Sequence, residues 1–163
     1  MKFRPVVIID TREQRPWRFE NLETQRVALT TGDYSIRGLT HLVSVERKSL
    51  GDLFHCVGRD RDRFKRELSR LRGFRFRALI IEATLAEIEA GQWRSKLQPA
   101  HVLGSLTAWT VQFGLPIVFA GDHAAAGRYA QRYLFQAART VASECAAIQT
   151  MNEADTKTAA DAA

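Results

Sequence analysis

Three residues are spaced so that a simple fold would bring them together: the acids Asp33 and Glu46 and the amine of Lys48. Two carboxylates placed side by side repel, and the repulsion is relieved by a cation between them or by a shared proton. A hard divalent ion of the Mg²⁺ or Mn²⁺ kind suits the first solution. Such an ion takes one or two carboxylates, accepts a backbone carbonyl, and fills its remaining positions with water and substrate phosphate. A lysine beside it would touch the attacking water or the phosphate, so the chemistry open to this set is metal-assisted attack at a phosphate ester.

The elements that must place these groups are readable around them. Tyr34-Ser35-Ile36 and Leu42-Val43-Ser44-Val45 alternate apolar with polar residues, are rich in β-branched side chains and flank the turn-forming Gly38. That pattern predicts a β-hairpin. With Gly38 to His41 as its loop, Arg37 pairs with Leu42, Ile36 with Val43, Ser35 with Ser44, Tyr34 with Val45 and Asp33 with Glu46. Directly opposed residues hold their Cβ atoms about 5 Å apart, and alternation puts Lys48 on the face of Glu46. One face is then oily, with Tyr34, Ile36, Val43 and Val45, and the other carries the acids and the lysine. Gly32 has the conformational freedom to turn the chain and present Asp33 at the head of its strand.

Gly32-Asp33, Glu46-Arg47-Lys48 and Asp52 reproduce the pattern GD…ERKxxxD, and Ile8-Ile9-Asp10-Thr11-Arg12-Glu13 precedes it at a matching distance. In these residues, and across residues 6 to 135, the chain resembles the XPF-type structure-specific endonucleases. The resemblance implies a restriction-endonuclease-like fold, an α/β three-layer sandwich in which helices flank a mixed central sheet. It implies metal-dependent hydrolysis of DNA, selective for branched, flap or junction structures. Asp33, Glu46 and the backbone carbonyl of Arg47 would hold Mg²⁺ or Mn²⁺, while Lys48 positions or activates the water and steadies charge on the phosphoryl oxygens. Asp10 and Asp52 would complete or orient the shell, with Glu13 behind them. Arg12, Arg59 and Arg63 fall to DNA, the latter two because the family has a GR at that place. Domains of this family commonly pair, so a homodimer is expected. They commonly carry a separate helix-hairpin-helix module too, and no room for one remains here, so a standalone nuclease domain is expected.

Several of these residues have a plainer structural reading. Asp10 or Glu13 could cap a turn or pair with Arg12 or Arg15, and Asp52 stands at the third helical position after Ser49 in an S-x-x-D helix start. Arg15-Pro16-Trp17-Arg18-Phe19 interleaves basic and aromatic residues, but Trp17 and Phe19 are better read as packing a loop onto the domain. Between Gly58 and Arg77, Phe64, Leu68 and Leu71 form one apolar helix stripe surrounded by Arg63, Lys65, Arg66, Arg70 and Arg72. The one-signed excess directly after the site favours a phosphate-binding surface over an ordinary solvated face, and adds Arg66 to the DNA contacts. Arg94 and Lys96 flank Ser95 in a basic loop after Trp93 and offer a further DNA contact. Glu82 is read as structural.

The rest of the chain supplies the frame. Val6 to Ile9 is a buried strand ending in Asp10, and Phe76 to Ala83 another. A short helix from Leu85 to Ala90 ends at Gly91, and a helix that begins near Pro99 and ends at Gly114 turns Val102, Leu106, Trp109 and Phe113 to one side. A strand from Leu115 to Ala120 precedes a long helix capped by Asp122, with Ala126, Ala130, Tyr133, Ala137 and Val141 along one stripe. Tyr129, Tyr133 and Phe135 point in more than one direction there, which makes that helix the expected dimer surface. The domain is expected over residues 1–148, with 149–163 as a flexible tail.

Composition sets outer limits. The chain has 163 residues, 45% hydrophobic, enough for one core, and its net charge of +6 favours a polyanionic partner. No run of about 20 apolar residues is present, so no membrane span is expected. Cys56 and Cys145 lack any ligand spacing and are expected as reduced thiols, and the expected location is cytoplasmic, at the nucleoid in a bacterial or phage setting. No small-molecule cofactor is expected. The rival readings are a catalytically idle DNA-binding partner subunit, which would usually lack motif acids present here, and an RNA-directed protein, disfavoured because no aromatic platform stands out.

Overall fold

In the computed structural model, residues 3–161 are described. A six-stranded mixed sheet in the order β2-β1-β3-β4-β5-β6 forms the middle layer, and helices cover both of its faces. The strands are β1 (Val7–Ile9), β2 (Thr24–Arg26), β3 (Tyr34–Ile36), β4 (Val43–Ser49), β5 (Phe76–Glu82) and β6 (Ile117–Phe119). The helices are α1 (Leu50–Val57), α2 (Arg61–Leu71), α3 (Leu85–Ala90), α4 (Pro99–Phe113) and α5 (His123–Asp161). This is the restriction-endonuclease-like sandwich that the family resemblance implied.

Strand alternation sorts the core into two halves. Leu79 and Ile81 of β5 face α1, α2 and α4 with Leu53, Phe64, Leu68 and Trp109. Ala78 and Ile80 face the other way, toward Tyr34, Val45 and the small residues Ala126, Ala130 and Ala137 of α5. Burying a large aliphatic side chain is worth roughly 1.5–3 kcal/mol, so these two layers hold the sheet between them. Trp17 is among the buried residues, stacked on Tyr34 at 4.5 Å between ring centroids. It packs against α5 where Gly127 leaves space: a Cβ there would sit 3.2 Å from Trp17 Cβ.

The hairpin has the expected register, with Tyr34 opposite Val45. Its loop is longer than expected. Arg37 N–H donates to Val6 O, just before β1, at 2.9 Å, and Val43 N–H donates to Leu39 O at 2.9 Å. The turn therefore takes in Arg37 and Leu42, and the rung expected between them is not formed. β2 was not anticipated at all: Thr24, Gln25 and Arg26 are exposed and carry no apolar pattern. Backbone bonds seat it on β1, from Val7 N–H to Glu23 O at 2.9 Å and from Val27 N–H to Ile9 O at 3.0 Å, and the Arg26 guanidinium donates to Thr11 O at 3.3 Å and Glu13 O at 3.0 Å just beyond β1.

The helix boundaries follow their caps. Ser49 Oγ accepts from Asp52 N–H at 3.2 Å at the start of α1, Thr84 and Glu87 form a capping box on α3, and Gly91 and Gly114 end α3 and α4 in the left-handed conformation. Asp122 Oδ1 accepts from Ala125 N–H at 2.7 Å and starts α5. That helix crosses the boundary expected near residue 148 and continues to Asp161. Residues 162 and 163, the end of the expected tail, lie outside the described residues. No helix among the described residues is long and apolar enough to cross a membrane. Cys56 is buried and Cys145 exposed, both unpaired with each other.

Candidate active site

The site begins at a backbone turn that only glycine tolerates. Gly32 has φ +76°, and a Cβ on it would lie 2.3 Å from Ser44 Oγ and 3.1 Å from Val45 O. That close approach lets Asp33 N–H reach Val45 O at 2.9 Å while Asp33 O accepts from Asp10 N–H at 2.8 Å. The carboxylate is fixed as well: Asp33 Oδ2 accepts from the main-chain N–H of Arg47 at 2.8 Å. Glu46 and Lys48 stand two residues apart on β4 and share the face that alternation predicted. Lys48 Nζ pairs with Glu46 Oε1, approaches Arg47 O at 3.3 Å, and lies 4.9 Å from the ring centroid of Phe64 on α2.

Two carboxylates and one ammonium in a buried setting leave an excess of negative charge. Burial, then the charge of Glu46, raises Asp33 above the usual carboxylate range, and Lys48 with the Arg47 N–H only partly offsets this. Burial likewise raises Glu46 against the opposing pull of Lys48, with Glu67 and Glu13 adding to the rise. Burial alone would lower Lys48, but the two acids outweigh it and hold the amine protonated above its ordinary value. A divalent cation removes this imbalance. Among the described residues no three His, Cys, Asp or Glu side chains converge as a ligand cluster. Asp33, Glu46 and the Arg47 carbonyl would offer two carboxylates and one carbonyl oxygen, a set that fits an Mg²⁺-type ion leaving its other positions to water and phosphate.

The remaining sequence-predicted residues divide. Asp10, Arg12, Glu13, Asp52 and Arg63 line the same open cavity of about 520 Å³ as Asp33, Glu46 and Lys48. Asp10 is already engaged: its oxygens accept from Arg12 N–H at 2.9 Å, Arg12 Nε at 2.7 Å, Arg12 Nη2 at 3.2 Å and Leu29 N–H at 2.6 Å. Burial would raise its carboxyl, yet these bonds win and hold it below its ordinary value. Asp10 thus braces the turn behind Asp33. Glu13 accepts from Arg15 N–H at 2.7 Å and faces the Arg47 guanidinium at 3.4 Å. Asp52 fills the capping position at the cavity edge, where Ser49 Oγ donates to it at 2.6 Å. Arg63 pairs with Asp60 at 3.4 Å. Arg59, Arg66, Arg94 and Lys96 are exposed and stand outside the cavity lining.

Four further residues belong to the site's surroundings. Glu67 of α2 lines the cavity and its Oε1 accepts from Gly32 N–H at 3.3 Å. Glu82 is buried behind the sheet, where it accepts from Arg47, Trp17 and His123. A usable signal existed for Glu82, because an acid at the end of an apolar strand is the same cue that singled out Asp10. Nothing local marks His123 or Trp17, whose partners are distant in sequence.

Comparison with known proteins bears on the family and the fold. The model of the ERCC4 domain family matches residues 9–133. Among solved structures, XPF from Aeropyrum pernix superposes with a TM-score of 0.67 at 18% identity, covering 85% of this chain and 68% of that one. A second structure, XPF from Aeropyrum pernix in complex with DNA, gives a TM-score of 0.66 at 18% identity, with 84% and 66% covered. This chain thus spans about two thirds of those proteins. No curated protein matches it significantly. With the family's sequence pattern across most of its length and the corresponding fold beneath it, the chain belongs to the ERCC4 domain family.

Proposed function

We propose that this chain is an Mg²⁺- or Mn²⁺-dependent endonuclease that hydrolyses phosphodiester bonds in DNA and favours branched, flap or junction substrates. The observation that carries the reading is the convergence of Asp33, Glu46, the Arg47 carbonyl and Lys48 on one open cavity. Asp33 and Glu46 would hold the ion with the Arg47 carbonyl. When bound, such an ion polarises a phosphoryl oxygen and lowers the pKa of a coordinated water. Lys48, kept protonated by the two acids, donates toward the phosphate and steadies the charge that grows on its oxygens. Arg63 and Arg12, both lining the cavity, contact the flanking phosphates.

The test is a cleavage panel. The protein is incubated with single-stranded, duplex, splayed-arm, flap and nicked DNA, each with Mg²⁺, Mn²⁺ or EDTA, alongside the Asp33→Asn variant. Metal-dependent cutting that the variant lacks supports the reading, and the ranking of substrates assigns the preference. DNA binding without cutting under every condition assigns the chain instead as a catalytically idle partner subunit.

A further inference from the structure

Arg47 sits between Glu46 and Lys48, so alternation sends its side chain to the opposite face of the sheet while its peptide stays in the cleavage centre. Behind the sheet the Arg47 side chain is 7% exposed, and its guanidinium meets Glu82 at two points, Nε to Oε1 at 2.7 Å and Nη2 to Oε2 at 2.9 Å. Glu13 lies 3.4 Å from Nη1. Glu82 is itself pinned by the indole Nε1 of Trp17 at 2.8 Å and by His123 Nδ1 at 2.6 Å. Burial would raise this carboxyl, but its bonds from Arg47, Trp17 and His123 hold it below its ordinary value. The result is a closed set of charge-assisted bonds linking β4, β5, the loop after β1 and the first turn of α5.

We propose that Glu82 and His123 are positioning residues for the cleavage centre. By locking the Arg47 side chain behind the sheet, they fix the Arg47 peptide, whose N–H holds Asp33 Oδ2 at 2.8 Å and whose carbonyl lies 3.3 Å from Lys48 Nζ. A two-point Arg–carboxylate pair sets the plane of the guanidinium, and a reacting group displaced by a fraction of an ångström loses rate steeply. His123 Nδ1 meets the same Oε1 that Arg47 Nε and Trp17 Nε1 hold, and it is the outermost member of the set at 37% side-chain exposure. Its replacement therefore opens no core cavity. The inference rests on the cleavage reading given above.

Four proteins decide it: His123→Ala, His123→Gln, Glu82→Gln and, as control, Asp33→Asn. Each is measured for single-turnover cleavage, for DNA affinity and for hydrogen exchange at the Arg47 amide by NMR. His123→Ala lowers the cleavage rate by about 10- to 100-fold, the usual effect of removing an outer-shell partner, with DNA affinity unchanged within about twofold and Arg47 exchange at least tenfold faster. His123→Gln keeps a donor for Glu82 and recovers most of both. Glu82→Gln weakens the pair and behaves like His123→Ala, and if it fails to fold, the variant at the half-buried His123 still decides. Wild-type rates and wild-type Arg47 exchange in His123→Ala overturn the proposal, as does a slower rate with Arg47 exchange unmoved. Undiminished cutting by Asp33→Asn sinks the cleavage assignment separately, and the exchange measurement still reports whether the network holds the Arg47 peptide.

Discussion

Gly32→Ala is the substitution whose cost is most directly set by the geometry. The backbone there has φ +76°, so an alanine pays about 1–2 kcal/mol for a left-handed conformation. The new Cβ also lands 2.3 Å from Ser44 Oγ, a hydroxyl that donates to Thr31 O at 3.0 Å in a buried setting. Ser44 must rotate and leave that carbonyl unpaired, at about 1–2 kcal/mol more. The total is about 2–4 kcal/mol. In a Ser44→Ala background the clash with the hydroxyl is gone and the hydrogen bond already lost, so Gly32→Ala then costs only its backbone share, about 1–2 kcal/mol with the residual contact to Val45 O. The coupling energy between the two sites is therefore about 1–2 kcal/mol. Equilibrium denaturation of the four proteins, with metal absent, measures it. Equal costs of Gly32→Ala in both backgrounds, or a cost below about 0.5 kcal/mol, refute the account of the turn. Cleavage by Gly32→Ala falls together with stability, because Asp33 is the next residue.

Removing one acid should act on stability with a sign opposite to most core substitutions. Burial and Glu46 push Asp33 up to about 8 from 3.8, so without metal its contribution is full below about pH 4 and is lost as the pH rises toward 8; Asp33→Asn flattens that slope and abolishes cleavage, and an unchanged slope in thermal melts across this range refutes the repulsion. Added Mn²⁺ raises the melting temperature of the wild type more at pH 8 than at pH 5 and leaves Asp33→Asn nearly unmoved, which calorimetry checks. Replacing Arg63 and Arg66 together weakens DNA binding across sequences and lowers the slope of log affinity against log salt by about 1–2, read by fluorescence anisotropy. Tyr129 is 40% exposed and stacked on Tyr133, whose hydroxyl is spent on Arg77 O at 2.8 Å. Sedimentation equilibrium at micromolar concentration is expected to give twice 18.4 kDa for the wild type and a lower mass for Tyr129→Glu; a monomer throughout refutes pairing through this helix.

The parts legible in the sequence share a physical cause: their information is local. Period-two alternation and one glycine suffice to place Tyr34 opposite Val45, and Ser49 with Asp52 suffices to start α1. β2 escaped because it contributes nothing to a core, and it is held beside β1 by backbone bonds that any sequence can make and by the reach of Arg26 to two distant carbonyls. The engagement of Asp10 escaped in part for a similar reason. The bond to Arg12 is a near neighbour's and was readable, whereas the bond to Leu29 N–H spans 19 residues of chain. The network behind the sheet is further from reach, since Glu82 meets Arg47 across 35 residues, His123 across 41 and Trp17 across 65.

That network explains why three charged residues can follow one another on a central strand. Consecutive side chains on β4 point to opposite faces, so Glu46 and Lys48 enter the cavity while Arg47 leaves it. The strand's own periodicity thus separates the cation that faces the substrate from the cation that is buried. Arg47 on the front would add a second positive charge beside Lys48 and compete for the acids that a metal needs. On the back it neutralises Glu82 and faces Glu13, two carboxylates whose charge would otherwise be stranded among Trp17, Tyr34 and the helix above them. Exchanging Arg47 for lysine keeps the charge but gives up the two-point contact with Glu82 that sets the side chain's plane. The peptide between Asp33 and Lys48 then loses its anchor even though every group in the cavity keeps its identity.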